Sequence, residues 1–461
     1  MNSSLPDMFR RYPRIRQLSR RLLGLVPLAH RLGKEFWDWY AFYEESERWS
    51  FEELESYQLE RLRTLLQDVV RSSSFYRERI TDASIDELQS IADFQKVVPT
   101  IARREYRQKY SEILSNEWQK QDLVQSSTSG TTGMALQFFH ATKDGAREWA
   151  SICHQWKRVG YIPGQSRRAE FRGLTRAGIP VEFYPQRNML RCSILNFKPE
   201  SIRMYGEAIQ REGITFYHGY PSAVYLLARS IIGNKIRFPQ PKAILLASEM
   251  VLDHQLDGIK MAFPEAKIFA HYGCAERTVL AGWCEGSRAY HVLPQYALVE
   301  IDPKTSEVIG TNLYNTSNAF IRYRMTDTVL DYVETACPEC GREYQPRIAR
   351  LGGRMEDYLY SVDGGWIPPA IVTYPLKDLS AIQELQFVQN VPDRVVIRYT
   401  LTDKHAEGEE ERDIASIRSG IRNLLGKSTR IEFVQVEAFE RTPAGKYRWI
   451  INTLDISSME V

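Results

Sequence analysis

Between Leu136 and Tyr272 the sequence switches repeatedly between short apolar runs and stretches of helical length, and this alternation restricts the fold more than any other feature. Leu136-Gln137-Phe138-Phe139-His140 alternates as a strand does, and Lys143 to Val159 has the length and composition of a helix. A helix over Ser201 to Arg211, a strand over Ile214 to Tyr217 and a helix over Pro221 to Ile232 follow. Ala243-Ile244-Leu245-Leu246-Ala247 is apolar at every position, as a strand covered on both faces must be. Asp253 to Phe263 then reads as a helix and Lys267 to Tyr272 as a strand. Strands joined through helices predict an α/β fold with mixed or parallel sheets covered by helices.

Flanking segments extend this plan. Ser50 to Tyr76 repeats Leu54, Leu59, Leu62, Leu65, Leu66 and Val69 at helical spacing. Asp82 to Phe94 reads as one further helix, opened by a capping box of Ser84 and Glu87. Val292 to Val333 has strand-turn-strand character, with the turn at Asp302-Pro303-Lys304-Thr305. After about Gly352 a smaller α+β unit begins, with strands at Tyr358 to Val362, Gln386 to Val391, Val395 to Leu401 and Ile431 to Val436, and a helix over Ile414 to Leu425. The domains expected are therefore a basic arm at 1–48, a large domain at 49–352 and a small one at 353–461.

A chain of 461 residues with net charge +2 gives no global argument for nucleic acid. It holds no apolar run of about 18 residues, the length a membrane-crossing helix needs. Met1 to Lys34 carries eight Lys/Arg against a single Asp7, interleaved with leucines. That mixture suits peripheral contact with an anionic membrane, and equally a solvated arm or a helix packed on the body. Six cysteines without a secretory signal point to a reducing, cytoplasmic compartment.

The chemistry centres on Ser126-Ser127-Thr128-Ser129-Gly130-Thr131-Thr132-Gly133, which follows the strand expected at Asp122 to Gln125. Glycine-freed N–H groups and a dense set of hydroxyls suit a phosphate grip, and in isolation they also suit a flexible linker. Gly133 is followed by Met134, so the Walker pattern is absent. Four features accompany the loop. Tyr272-Gly273-Cys274-Ala275-Glu276 puts a carboxylate past a strand's carboxyl end, where it can hold Mg²⁺. Arg322-Tyr323-Arg324-Met325-Thr326-Asp327 places an Asp after a strand, suited to ribose hydroxyls or to a salt bridge with a neighbouring Arg. Gly352-Gly353-Arg354-Met355-Glu356 joins a pair of hinge-competent glycines to a cation, and Arg441-Thr442-Pro443-Ala444-Gly445-Lys446 sets a lysine on a turn.

These five features, in this order, resemble the adenylate-forming superfamily of acyl-CoA synthetases, luciferases and peptide-synthetase adenylation domains. Within it the sequence is most similar to phenylacetate–CoA ligases and the CapK-like branch. The resemblance runs from about Ser50 to Trp449 and takes in His218-Gly219-Tyr220-Pro221-Ser222 and Ala247-Ser248-Glu249. It implies a large adenylate-forming domain and a small mobile carboxyl-terminal domain. ATP phosphates would lie at Ser127 and Thr128 to Gly133, the nucleotide also at Tyr272 and Gly273, Mg²⁺ at Glu276, ribose at Asp327 and the nucleotide again at Arg354. Lys446 and Glu276 would be catalytic. The substrates implied are a small-molecule carboxylate and a thiol, coenzyme A first, while amine or hydroxyl acceptors and a homodimer stay open. Met134 departs from the lysine usual after the loop, and Met325-Thr326-Asp327 from the usual Thr-Gly-Asp.

Cys284, His291, Cys337 and Cys340 supply three thiolates and an imidazole, the donor set of a closed structural Zn²⁺ site. Unliganded thiols are the alternative. His218, Tyr217, Tyr220 and Trp283 are candidates for an acyl pocket and equally for core packing.

Overall fold

The computed structural model describes residues 26–127, 136–172, 179–193, 198–249, 251, 253–333, 335–343, 347–351, 359–363, 365–367, 372, 379–401, 405–437, 439 and 450–454. The chain divides into two compact units, Met1–Val124 with His140–Gly352, and Gln125–Phe139 with Gly353–Val461.

The first unit opens with helices α1 (Gly33–Ser46) and α2 (Phe51–Ser72). Ser50 starts α2 through a complete capping box: its side chain accepts from Glu53 N, and the Glu53 carboxylate accepts from Ser50 N. Within the stretch read as a basic arm, α1 buries Phe36 and Tyr43 and lies along α3 (Asp144–Trp156). Arg31, just before it, donates to the carbonyls of Pro185 and Gln186. The described part of this segment therefore packs on the body, while residues 1–25 lie outside the described range. Among the described residues no helix is long and apolar enough to cross a membrane.

The single helix expected over Asp82 to Phe94 is instead two, Asp82–Asp86 and Ile91–Val97. Ser90 causes the break. Its side chain accepts from Asp93 N at 3.1 Å, which makes it the N-cap of the second helix, and Ser84 and Glu87 form no capping box.

The remaining strands of the unit include β1 (Ile101–Ala102), β4 (Arg168–Phe171), β5 (Val181–Tyr184), β6 (Met189–Cys192), β7 (Phe216–Gly219), β8 (Ala243–Ala247) and β9 (Lys267–Gly273). They continue with β10 (Leu280–Trp283), β11 (Tyr290–Val292), β12 (Ala297–Ile301), β13 (Glu307–Asn312), β14 (Tyr323–Val333) and β15 (Arg347–Leu351). All join in one sheet of order β12-β13-β14-β15-β11-β10-β9-β8-β7-β4-β6-β5, with β1 paired to β14. Pairing is parallel from β9 through β8, β7 and β4 to β6, and antiparallel from β9 out to β12 and at the β5 edge. The parallel half is covered by helices that include α3, α4 (Pro199–Arg211), α5 (Pro221–Gly233) and α6 (Asp253–Ala262), as the alternating sequence required. β8, apolar at every position, is buried at every position.

β14 is the strand that ties the sheet's antiparallel end together. Its first part pairs with β13 and its second with β15. Between Glu307↔Thr328 and Ile309↔Arg324, two steps along β13 oppose four along β14, so the strand is bulged across Met325-Thr326-Asp327.

In the second unit β16 (Leu359–Ser361) pairs antiparallel with β17 (Gly365–Ile367), and β18 (Ile382–Val391), β19 (Arg394–Leu401), β20 (Arg430–Gln435) and β21 (Ile450–Asn452) form a sheet of order β20-β19-β18-β21. Helix α7 (Glu409–Leu425) buries Ile417, Ile421 and Leu425. Asp413, on the same helix, accepts from the backbone N–H groups of Ser380, Ala381 and Ile382.

Candidate active site

Asp327 does not follow a strand, as the sequence reading expected, but lies inside β14 at the bulge. An irregular backbone there can aim a side chain that a regular ladder would direct elsewhere. Its Oδ2 accepts from the Tyr272 hydroxyl at 3.0 Å. The arginines beside it in sequence are engaged elsewhere. Arg322 makes a bidentate pair with Glu300 and donates to the carbonyls of Gln95 and Val98. Arg324 pairs with Asp302 and Glu307. A structural salt bridge to either arginine is thus not the role of Asp327, which meets the penultimate residue of β9 instead.

Glu276 lies past the carboxyl end of β9, as expected, in a turn built from its neighbours. Arg277 N donates to Cys274 O at 3.1 Å, and Thr278 N to Cys274 Sγ at 3.4 Å. Arg277 takes φ +59°, a left-handed conformation costly without glycine, and its guanidinium reaches Glu148 of α3 at 3.4 Å. Ser248, immediately after β8, is likewise left-handed at φ +72°. Two non-glycine residues held this way, at the carboxyl ends of adjacent parallel strands, mark the place where α/β sheets bind ligands. Gly310 of β13 passes so close that an added Cβ would stand 2.4 Å from Thr278 O, and Asn312 Nδ2 donates to Glu276 O at 3.3 Å. Glu276 is itself buried, and its charge helps burial raise the Cys274 thiol.

The loop residues Thr128, Ser129, Gly130, Thr131, Thr132 and Gly133, and likewise Arg354, Glu356 and Lys446, lie outside the described residues. Ser127 is the last residue of β2 (Leu123–Ser127), which pairs with β3 (Gln137–Ala141), so the Ser/Thr/Gly stretch connects these two strands.

The cysteine and histidine set converges. Cys284 follows β10, His291 lies in β11, and Cys337 and Cys340 come after β14. The four donor atoms lie within 4.8 Å of one another. Cys284 Sγ to Cys337 Sγ is 3.8 Å, and Cys340 Sγ to His291 Nε2 is 3.4 Å. Tetrahedral zinc, with bonds of about 2.3 Å to sulfur and 2.0–2.1 Å to nitrogen, sets these edges at about 3.8 and 3.5 Å. The residues therefore fit the ion. Gly341, at φ +73°, lets its N–H turn back to Cys337 O at 2.9 Å. Burial, with Arg158 and Arg342 nearby, lowers His291 to about 3 and keeps its imidazole neutral, as a ligand must be. Burial works against ionisation of Cys337, but the backbone N–H groups of Glu339 and Cys340 outweigh it and lower that thiol. A cavity of about 380 Å³ adjoins this cluster, with His154, Arg158, His291 and Arg342 in its wall; neither Tyr272 nor Asp327 lines it.

A second group was not foreseen. Glu170 of β4 pairs in register with His218 of β7, and His271 of β9, two strands from β7, lies two residues beyond that level and so on the same face. Trp156 of α3 covers them, its ring 4.9 Å from that of His218 and 6.2 Å from that of His271. Arg172 Nη1 is 3.5 Å from His218 Nε2, and Arg191 of β6 holds Glu170 at 3.1 Å. The available signal was the alternation of Arg168, Glu170 and Arg172 with Ala169 and Phe171. Of the acyl-pocket candidates named from sequence, the group contains His218, with Tyr220 beneath the Arg172 guanidinium at 5.6 Å. Tyr217 is packed between Phe171, Phe238 and Phe263, a core position.

Known proteins share this architecture. 2-Hydroxyisobutyryl-CoA ligase, in complex with 2-HIB-AMP and CoA in its thioesterification state, superposes with TM-score 0.53 at 18% identity, over 86% of this chain and 89% of that one. The same ligase in its postadenylation state, bound to R3-HIB-AMP, gives TM-score 0.52 at 17% identity over 86% and 88%. The chain thus shares the fold of this ligase. Residues 359–453 match the CapK C-terminal domain. Protein CapK of Staphylococcus aureus is 23% identical over 416 residues, 88% of each chain.

Proposed function

We propose that the protein is an enzyme that activates a carboxylic acid with ATP, as an acyl-adenylate, and passes the acyl group to a thiol, with coenzyme A as the acceptor. The observation that carries this reading is the hydrogen bond between Tyr272 and Asp327, residues read from sequence as parts of one nucleotide site and brought together from different strands. Asp327 accepts from both ribose hydroxyls, and Tyr272 fixes its orientation. Ser127 and Thr128 to Gly133 grip the β- and γ-phosphates, Arg354 contacts the nucleotide, and Glu276 holds Mg²⁺, which neutralises phosphate charge when bound. A substrate carboxylate oxygen attacks the α-phosphorus, the bond from that phosphorus to the bridging oxygen breaks, and pyrophosphate leaves. Lys446 bridges the attacking carboxylate and the α-phosphate, where negative charge concentrates in the transition state. In the second step a thiolate sulfur bonds to the acyl carbon and AMP leaves. A structural zinc at Cys284, His291, Cys337 and Cys340 belongs to the same proposal.

The sequence resemblance to the CapK-like branch leaves a second reading open, in which an amine or hydroxyl replaces the thiol. ATP–pyrophosphate exchange across a panel of carboxylates tests the first half-reaction, and Lys446→Ala is expected to abolish it. Exchange undiminished in that variant removes the lysine from the mechanism. Following the acyl group with coenzyme A, amines and alcohols as competing acceptors separates the two readings. Absence of exchange with every acid would leave a nucleotide-binding scaffold.

A further inference from the structure

The group beneath Trp156 is unusual for a sheet face under a helix. A doubly covered strand is normally apolar there, and buried polar atoms normally have partners. Trp156 and Gln155 are almost fully buried and His218 is 5% exposed. Among the described residues, His218 Nδ1, His271 Nδ1, Trp156 Nε1 and both amide atoms of Gln155 have no hydrogen-bond partner. Leaving such groups unmet is costly, so their gathering at the carboxyl ends of β4, β7 and β9 points to a ligand that meets them.

The geometry also defines what that ligand presents. Burial and the neighbouring Arg172 lower both histidines, which are neutral. A guanidinium can only donate, so at 3.5 Å Arg172 leaves His218 Nε2 as acceptor. The single ring proton of His218 then sits on Nδ1, as a donor. Glu170 Oε1 lies 3.9 Å from that nitrogen, beyond direct hydrogen bonding, while Arg191 holds the other carboxylate oxygen. The gap therefore offers one donor and one anionic acceptor side by side. A hydroxyl answers both, accepting from His218 and donating to Glu170. A second carboxylate would face Glu170, and an alkyl or unsubstituted phenyl group would leave both unmet.

We propose that the acid activated by this enzyme carries a hydroxyl group seated between His218 and Glu170, an inference that rests on the adenylation reading above. Sites built to hydrogen-bond a substrate hydroxyl reject the analogue lacking it far more strongly than apolar pockets reject an extra methylene. The test is exchange measured on matched acids: phenylacetate with 4-hydroxyphenylacetate and mandelate, butyrate with 3-hydroxybutyrate, and glutarate as a dicarboxylate. At least one hydroxylated member is expected to exceed its parent about tenfold or more in kcat/KM. His218→Phe and Glu170→Gln are each expected to reduce that ratio at least fivefold, mainly by loss on the hydroxylated member; the second variant keeps size and shape should the first fail to fold. If no acid supports exchange, the adenylation reading has failed. The pocket is then judged on ligand-induced change in Tm with the same pairs, where the hydroxylated acids should stabilise more and do so through His218. Parents equal to or better than their hydroxylated partners, in whichever readout applies, overturn the proposal.

Discussion

Tyr272→Phe removes one hydroxyl and nothing else from the proposed nucleotide site. The bond lost spans 3.0 Å to a carboxylate that is only half-buried, so water can replace the missing donor. A hydrogen bond to a charged group contributes roughly 1.5–3 kcal/mol, and access to water puts this one near the lower bound. About 1.4 kcal/mol corresponds to a factor of about ten. Because Asp327 is read as holding ribose, which is not the reacting centre, the loss falls equally on ground and transition states. KM for ATP should therefore rise about tenfold, with kcat changed less than about threefold. The assay is pyrophosphate exchange at varied ATP with a fixed carboxylate. Asp327→Asn should cost more, and adding Tyr272→Phe to it should cost little further, because the two changes remove one interaction. A KM unmoved within twofold, or a defect confined to kcat, would refute the assignment of this pair to ribose.

Other outcomes follow from the structure. Arg322→Met leaves the Glu300 carboxylate buried without its bidentate partner, and should destabilise the first unit by about 3–5 kcal/mol in urea unfolding, with part of the loss recovered by adding Glu300→Gln. Purified protein should contain one zinc per chain by atomic absorption, cobalt substitution should give the spectrum of tetrahedral thiolate ligation, and Cys337→Ser should lower both metal content and Tm. His271 is lowered to about 3 and His140 to about 4, in both cases chiefly by burial, with Arg172 and Arg277 respectively adding to it. The unfolded chain, with histidines near 6.5, binds protons that the folded chain refuses, so stability is complete above about pH 6.5 and falls as pH drops towards these values. Between pH 5.5 and 4.5 each histidine should contribute a slope of up to about 1.4 kcal/mol per pH unit, and His271→Asn should flatten unfolding measured over that range.

Much of this was written in the chain. The β8 run and the helix-length segments around it gave the parallel core because apolar burial on both faces leaves few other arrangements. The turn at Asp302 was readable from its residues, and its Oδ1 does accept from Lys304 N and Thr305 N. The split at Ser90 was missed because two overlapping cap signals compete, and local pattern does not say which side chain closes on which N–H. β4 and β6 were missed for a different reason. Arg168, Glu170, Arg172 and Arg191 look like solvated residues until their partners on other strands are known. Tyr272, Glu276 and Asp327, proposed above as nucleotide-site residues, stand out as motifs, but the bulge that places Asp327 arises from pairing with β13 and has no local signature.

That bulge also governs fidelity. A β-strand that slips by one residue turns every side chain to the opposite face, and β14 is exposed to this error because it serves β13, β15 and β1 together. A slip would carry the Asp327 carboxylate away from Tyr272. The extra residues opposite β13, and the further register shifts opposite β15 between Val329 and Tyr332, admit only one alignment with both neighbours. They work as the wards of a key, so that the chain either folds with the Asp327 carboxylate against Tyr272 or leaves the antiparallel half of its sheet unpaired.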